Sequence, residues 1–439
     1  MNKLRYIVTA FVLLAAGITA EAQNGLNIPF SQYGIGYSSM PNNVPSLMRM
    51  GGVAYTRSAS NWVNWMNPAS YSAIEKETFV FDMGLGIDMV TLTDPGCSVY
   101  DAEGNISYIA VAFPLTKWWK TSLGMLPLSD VNYESVYTDE ANSVCTRYEG
   151  TGGVAQFYWG HGFNVTKHLS LGANINYLYG DVLKGITYDF IGNDTTFFMD
   201  SRRLKETFVR NFTYDFGLQY SHSVGEKHAF TLGVTFKPEQ TLRVSDNALV
   251  YTFVANGATE YTRDTIFPGP GQTSDYQSTL IQPMTVGVGL GFQKVDRWNL
   301  AADVTYAPWS GMKYIENDNH NLFGRSALCY GDNYRYALGF EWLGDKTSSH
   351  YFQRIVFSGG IHYETGRLQV LDAADQLWQI DEYGAGLGAA FPMRKGRSVL
   401  NVTVGYSSMG SVDILRRNCF TFGISVGSCE SWFVKRKYN

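Results

Sequence analysis

The stretch that most constrains this chain runs Met284-Thr-Val-Gly-Val-Gly-Leu-Gly-Phe292, then Gln-Lys-Val-Asp-Arg, then Trp298-Asn-Leu-Ala-Ala-Asp-Val-Thr-Tyr306. Read at period two, Met284, Val286, Val288, Leu290 and Phe292 share one face, and Thr285, Gly287, Gly289 and Gly291 share the other. After the turn, Trp298, Leu300, Ala302, Val304 and Tyr306 alternate with Asn299, Ala301, Asp303 and Thr305. A strand sends successive side chains to opposite faces. This is therefore a β-hairpin with one large apolar face ending in aromatics and one small or polar face. That pattern suits a strand with lipid outside and a wet or filled lumen inside.

The same unit recurs. Phe79, Phe81, Met83, Leu85, Ile87 and Met89 alternate with Asp82, Gly84, Gly86 and Asp88; Leu169 to Tyr177, Phe212 to Tyr220 and Phe420 to Val426 repeat the pattern. One run is a weak signal and a chain of them is a strong one. Strands are expected near 76–93, 104–115, 118–135, 143–163, 168–188, 204–222, 227–250, 275–293, 297–314, 326–343, 351–366, 378–393, 397–410 and 416–428. The fold class is all-β: a transmembrane antiparallel β-barrel of about 14 strands, with an N-terminal plug or hatch. Connections are expected to alternate strictly, short ones at Thr116–Lys117, Val165–Lys167, Gly225–Glu226, Lys294–Arg297, Gly344–Ser349 and Arg394–Gly396, and long ones between, near 189–203 and 251–274. Short turns belong on the periplasmic side, which places both termini there.

The chain of 439 residues is 45% hydrophobic but only 17% charged, with 29 Tyr, 26 Phe and 45 Gly. A polar inner face dilutes a barrel's average hydropathy in this way. Residues 1–22 read as a secretory signal: Lys3 and Arg5, an apolar core from Ile7 to Ile18, and Ala20-Glu-Ala22 as the small-x-small site. Residues 23–75 form the plug segment, 76–428 the barrel, and 429–439 a periplasmic basic tail around Lys435-Arg-Lys437. A net charge of −5 with no basic stripe argues against nucleic acid. Five cysteines show no zinc-like spacing, so no metal or cofactor is expected. Cys97 and Cys145 fall in neighbouring loops, where a disulfide and two unpaired thiols both remain open.

Catalytic signals are poor. There is no G-x-S-x-G or H-E-x-x-H, and the seven His are scattered. Gly384-x-Gly-x-Gly388 sits in an alternating strand, so it reads as small lumen residues and not as a phosphate loop, which needs a following helix. Within the plug, Trp62, Val63, Trp65 and Met66 have the spacing of a short helix, stopped by Asn67-Pro68. Trp62, Trp65 and Met66 either line a hydrophobic site or pack the plug against the wall. Asp82, Asp88, Asp215 and Asp303 fall on the inner face, where they either bind a polar head group or counter-ions or pair with plug cations such as Arg49 or with water. Trp118 and Trp119 read as the periplasmic aromatic girdle.

These residues resemble a family. Gly51-Gly52 followed by Asn67-Pro68-Ala69 is similar to the hatch of the FadL-type outer-membrane long-chain fatty acid transporters, in the divergent form found in Bacteroidota. Trp298 to Ser310 is similar to a mid-barrel strand of that family ending in Trp-Ser, and Leu123 to Tyr133 looks like its third strand, kinked near Pro127. Ser60-Asn61 stands where family members often carry an acidic residue, which leaves the ligand open. The resemblance implies an outer-membrane protein that takes up fatty-acid-like hydrophobic molecules passively and releases them sideways into lipid. The implied gate is Pro127, which lacks a ladder donor, with Asn67, Pro68 and Ala69 capping the hatch. It also implies an alternative. Barrels of this kind serve as non-transporting subunits of outer-membrane assembly or secretion complexes, with protein partners in that membrane.

Overall fold

A computed structural model of the chain describes residues 28–38, 41–190, 199–256, 259–268, 273–316, 329–371, 377–393 and 397–431. The leader, the basic tail and most of the loop near 189–203 lie outside the described residues. The rest is a closed antiparallel barrel of 14 strands. They are β1 (Thr78–Thr93), β2 (Ser98–Pro114), β3 (Trp119–Asp139), β4 (Val144–Asn164), β5 (Leu169–Phe190) and β6 (Asp200–Val224). Next come β7 (His228–Lys237, continued as Gln240–Asn256), β8 (Asp275–Gln282, continued as Thr285–Lys294) and β9 (Trp298–Ala307, continued as Lys313–Glu316). The wall finishes with β10 (Asn333–Trp342), β11 (Val356–Glu364), β12 (Glu382–Met393), β13 (Ser398–Ser411) and β14 (Leu415–Ser431). β14 closes on β1 from Thr78↔Ser431 to Thr93↔Arg416.

Period-two chemistry produces the two faces of the wall. Val288, Leu290, Leu300 and Val304 are exposed on the outer surface, while Gly287, Gly289, Ala301 and Asp303 face inward and are buried. At the short-turn end, Trp118 stacks on Trp119 and Phe163, and Trp298 lies between Phe292 and Phe340. Rings with one polar edge suit a membrane–water boundary.

The strict alternation of short and long connections does not hold. At the far end β1–β2 is joined by residues 94–97, β3–β4 by 140–143 and β13–β14 by 412–414, all tight. That end grows by longer strands instead: β3, β4, β5 and β6 have 21, 21, 22 and 25 residues, against 10 and 9 for β10 and β11. Alternation simply continues past the apolar belt, because ladder hydrogen bonds do not require lipid. A small three-stranded sheet of 329–330, 368–371 and 377–379 sits beside the tall wall's short neighbour strands.

Candidate functional site

The lower lumen is occupied by residues 41–74, which pack on apolar wall residues such as Val80, Ala110 and Leu126 and are pinned to the wall through inward polar side chains. Asp303 accepts the backbone N–H groups of Ala54 (2.6 Å) and Tyr55 (2.9 Å). Asp82 accepts Val63 N–H (2.9 Å) and the Tyr108 hydroxyl (3.0 Å). Gln219 donates to the Tyr55 carbonyl (2.9 Å), and Asn174 to that of Trp65 (3.0 Å). A segment with so little regular structure carries many orphan backbone groups, and buried ones must be satisfied. The wall carboxylates and amides satisfy them.

This corrects the expected pairing of lumen carboxylates with hatch cations. Asp82 and Asp303 serve backbone N–H groups. Asp88 and Asp215 stay with wall neighbours, accepting from Asn105 and Asn176. Arg49 instead pairs with Glu341 at 2.5 Å and donates to Ser358, and Arg57 shares Glu341 at 3.3 Å. All three charges are buried. Burial and the adjacent Arg49 pull the Arg57 guanidinium down to about 10, so it is still charged at neutral pH. Glu341 gave no sequence signal beyond its inward parity, because its partners lie nearly 300 residues away.

The plug also differs locally. Residues 59–66 form bends and turns, not a helix. A 3-10 helix begins where one was expected to stop, at Pro68–Ala73. Asn67 caps it, accepting from Ala69 N–H (3.1 Å), while its amide donates to the Tyr55 and Leu218 carbonyls (2.7 and 3.3 Å). Proline at a first helical position loses no hydrogen bond, so Asn-Pro is as much a start signal as a stop. The helix lies against Gly172 of β5, where a Cβ would collide with the Pro68 backbone.

Above the hatch is a cavity of about 300 Å³. Trp65, Met66 and Tyr55 reach it from the hatch, and Phe30, Tyr33 and Ile35 from the N-terminal segment. Trp309, Met312, Tyr330 and Leu368 add to the apolar lining, and Lys237, Asp215, Arg335, Glu364 and Arg367 are its charged members. The Tyr55 hydroxyl meets Thr305 at 2.7 Å, and burial pushes its ionisation up, so it stays neutral. Of the plug residues singled out in the sequence, Trp65 and Met66 line this cavity. Trp62 does not; it lies buried beside the Arg57 guanidinium, 5.1 Å from its ring centre. Asn67, Pro68 and Ala69 are buried against the wall.

Pro127 is exposed on β3 beside a bulge in its pairing with β4. There β2 and β3 part: their ladder runs only from Pro114↔Lys120 to Ile109↔Met125, while β2 continues on β1 and β3 on β4. The N-terminal segment lies along the parted edge. Tyr37 and Asp130 exchange backbone hydrogen bonds (2.9 Å each), and Ile28 N–H reaches the Asn132 carbonyl (2.7 Å). Gly36 makes this approach possible; at φ 107° a side chain would strike the Asp130 carbonyl. Leu128 and Ser129, next to Pro127, line the cavity. Among the described residues no group of three or more His, Cys, Asp or Glu could hold a metal, and Cys97 and Cys145 are both free thiols.

A second break was not anticipated. β6 pairs with β7 below, from Phe216↔Phe236, and above, from Val209↔Val244, but not between. Pro238, Pro283 and Pro308 fall in the matching interruptions of β7, β8 and β9. The signal was present in the sequence, since a proline inside an alternating run breaks a ladder.

The BamG family model matches residues 2–439. No curated protein matches the chain. Among solved structures the barrel is similar to a Pseudomonas aeruginosa FadL homologue (14% identity, TM-score 0.55, covering 84% of this chain and 93% of that one). It is also similar to the Ralstonia pickettii toluene transporter TbuX (12%, 0.54, 88% and 98%) and the Pseudomonas putida toluene transporter TodX (13%, 0.54, 88% and 96%). At such identities these likenesses speak for the fold.

Proposed function

The chain belongs to the BamG family, and from that premise we propose that it is an outer-membrane barrel acting as a non-transporting subunit of an outer-membrane protein assembly complex. Residues 1–22 would be its cleaved export signal and 429–439, whose first three residues end β14, its periplasmic tail. The observation that carries this reading is the pinned hatch. Breaking the shared Arg49–Glu341–Arg57 contact alone would strand buried charge at a cost of about 3–5 kcal/mol, so the lower lumen is suited to stay shut. Family membership is compatible with the reading. The work is then done by surfaces, with lipid and neighbouring membrane proteins as partners, and without catalysis. The test is depletion in the native host. Levels of other outer-membrane barrels should fall, and the tagged chain should purify stoichiometrically with one of them. Unchanged barrel levels and a chain that purifies alone would sink the proposal.

A second reading has its own support: passive uptake of a hydrophobic small molecule with lateral release. The wall parts between β2 and β3 beside Pro127, and the cavity reaches Leu128 and Ser129 at that point. The similar solved structures include proteins named as toluene transporters. Lateral release needs no opening of the lower hatch. Unpaired backbone at membrane depth is tolerated only under cover, which the 28–37 segment would supply. Replacing Pro127 by Val adds a donor and should let the ladder extend. Under this reading, cells carrying Pro127→Val should take up a fluorescent fatty acid more slowly at equal barrel abundance; equal uptake counts against it.

A further inference from the structure

Exposed cations gather on the outer face of the wall just above its apolar belt. On β6 the outward positions run Phe216, Tyr214 and Phe212, and then Arg210. On β7 they run Phe236 and then, past Pro238, Thr241 and Arg243. Val209↔Val244 is the lowest rung of the upper β6–β7 ladder, which puts Arg210 beside Arg243. Asn211 fixes that register. Its amide accepts the Arg243 N–H (3.0 Å) and donates to the Arg243 carbonyl (2.8 Å), as Gln240 does for Tyr214 (3.2 and 3.1 Å). Each amide thus imitates one rung of a ladder. Thr241 pairs with Ile281 of β8, and Ile281 with Lys313 of β9, so the exposed Lys313 joins the same face. Adjacent strands lie about 4.8 Å apart, and these long side chains span that spacing.

Like charges facing each other across neighbouring strands are destabilising. Elsewhere on these strands a cation has its own carboxylate: Arg202 has Glu260 (2.8 Å), Lys205 has Asp246 (3.5 Å) and Lys237 has Asp215 (3.7 Å). Among the described residues, Arg210, Arg243 and Lys313 form no such ion pair. Glu239 stands at the lower edge of the patch, and Asp181, Glu206 and Asp275 stand above it, without closing on these cations. Arg210 lies instead over the Tyr179 ring, 5.8 Å from its centre. A stacked guanidinium keeps its N–H groups free around its edge. Thr279 is paired with Arg243, and Gln277 with Ser245, so hydroxyls and an amide surround the charges.

We propose that this patch on the outer wall binds the phosphate of a glycolipid headgroup in the outer leaflet. With the short turns on the periplasmic side, the upper edge of the apolar belt is the headgroup level of that leaflet. The forked guanidinium groups of Arg210 and Arg243 match phosphate oxygens, and Lys313 adds a point charge. Thr241, Ser245, Thr279 and Gln277 supply partners for sugar hydroxyls. The lipid's chains stay in the bilayer against the outside of Phe212 and Ile281, and nothing enters the barrel. The site needs neither transport nor a protein partner, so it goes beyond both functional readings.

The test uses the purified full-length chain in phosphatidylcholine nanodiscs, with bound lipid counted by native mass spectrometry. The probes are bisphosphorylated lipid A, dephosphorylated lipid A and phosphatidylglycerol. Bisphosphorylated lipid A should bind roughly ten-fold more tightly than either of the others. Arg210→Gln with Arg243→Gln should weaken its binding roughly ten-fold. Lys167→Gln with Lys227→Gln removes the same charge at the opposite end of the barrel and should leave binding unchanged. Heat-modifiable migration on gels checks folding. If the arginine pair fails that check, Arg243→Gln alone decides, with an expected loss of about three-fold. Equal binding of dephosphorylated lipid A or of phosphatidylglycerol, full binding by the arginine variants, or an equal loss in the lysine pair would each overturn the proposal.

Discussion

The lower and upper halves of β7, β8 and β9 make an instructive pair. Below Pro238, Pro283 and Pro308 the strands are fully laddered; Val286↔Tyr306 to Lys294↔Trp298 pair without a bulge, and Asp303 holds the hatch backbone. Above the prolines β7 and β8 stay laddered from Gln282↔Gln240 to Asp275↔Asn247, but the β8–β9 ladder shortens to the stretch around Leu280↔Tyr314, and Gln240 and Asn211 replace missing rungs between β6 and β7. Outward residues are apolar below and mostly polar above, where Thr241, Arg243 and Gln277 are exposed beside a single apolar Ile315. The same alternation gives a sealed, lipid-facing wall in one half and an interrupted one in the other. What differs is three prolines and what fills the lumen behind them.

The largest expected effect lies in the lower half. Glu341→Ala should cost about 3–5 kcal/mol, because it leaves Arg49 and Arg57 buried without their counter-charge. Loss of heat resistance on gels, or a lower denaturant midpoint in detergent, would register it. A near-neutral result would mean the hatch is not anchored there.

Depth on the outer face gives the next contrast. Leu300→Arg should destabilise by roughly 2–4 kcal/mol, whereas Thr241→Arg above the prolines should cost about 0–1 kcal/mol. Equal costs in a lipid-refolding assay would erase the distinction between belt and upper wall. The inner face needs a different expectation from one based on parity alone. Thr305 points inward but bonds the Tyr55 hydroxyl, so an Arg there would disturb the hatch.

Gln240→Ala should cost about 1 kcal/mol, since it removes two ordinary hydrogen bonds from an otherwise unladdered span. Faster amide exchange at Tyr214, with Val288 and Leu290 unaffected, is the expected readout. The smallest change is in labelling alone. Cysteines placed at Glu140 and Asp296 sit at opposite ends of the barrel, so an impermeant maleimide on intact cells should modify the first and spare the second. The opposite pattern would invert the barrel's orientation.

The sequence by itself determined the strand number, the two faces and the closure of this wall. Period-two alternation is local and survives without knowledge of any partner: Leu300 and Asp303 declare their faces through their own neighbours. It also singled out Trp65 and Met66, which line the cavity, and Pro127, which stands beside a bulge in the β3–β4 pairing. Only the tertiary structure decided how the lumen is filled. Glu341 finds Arg49 and Arg57, Asp82 finds the Val63 N–H, and Asn67 begins a helix instead of ending one, because the hatch backbone lies within reach in the closed barrel. Gln240 and Asn211 read as ordinary polar residues in the sequence. They become stand-in rungs only where the strand opposite has lost its ladder, and that register is set by the whole ring of strands.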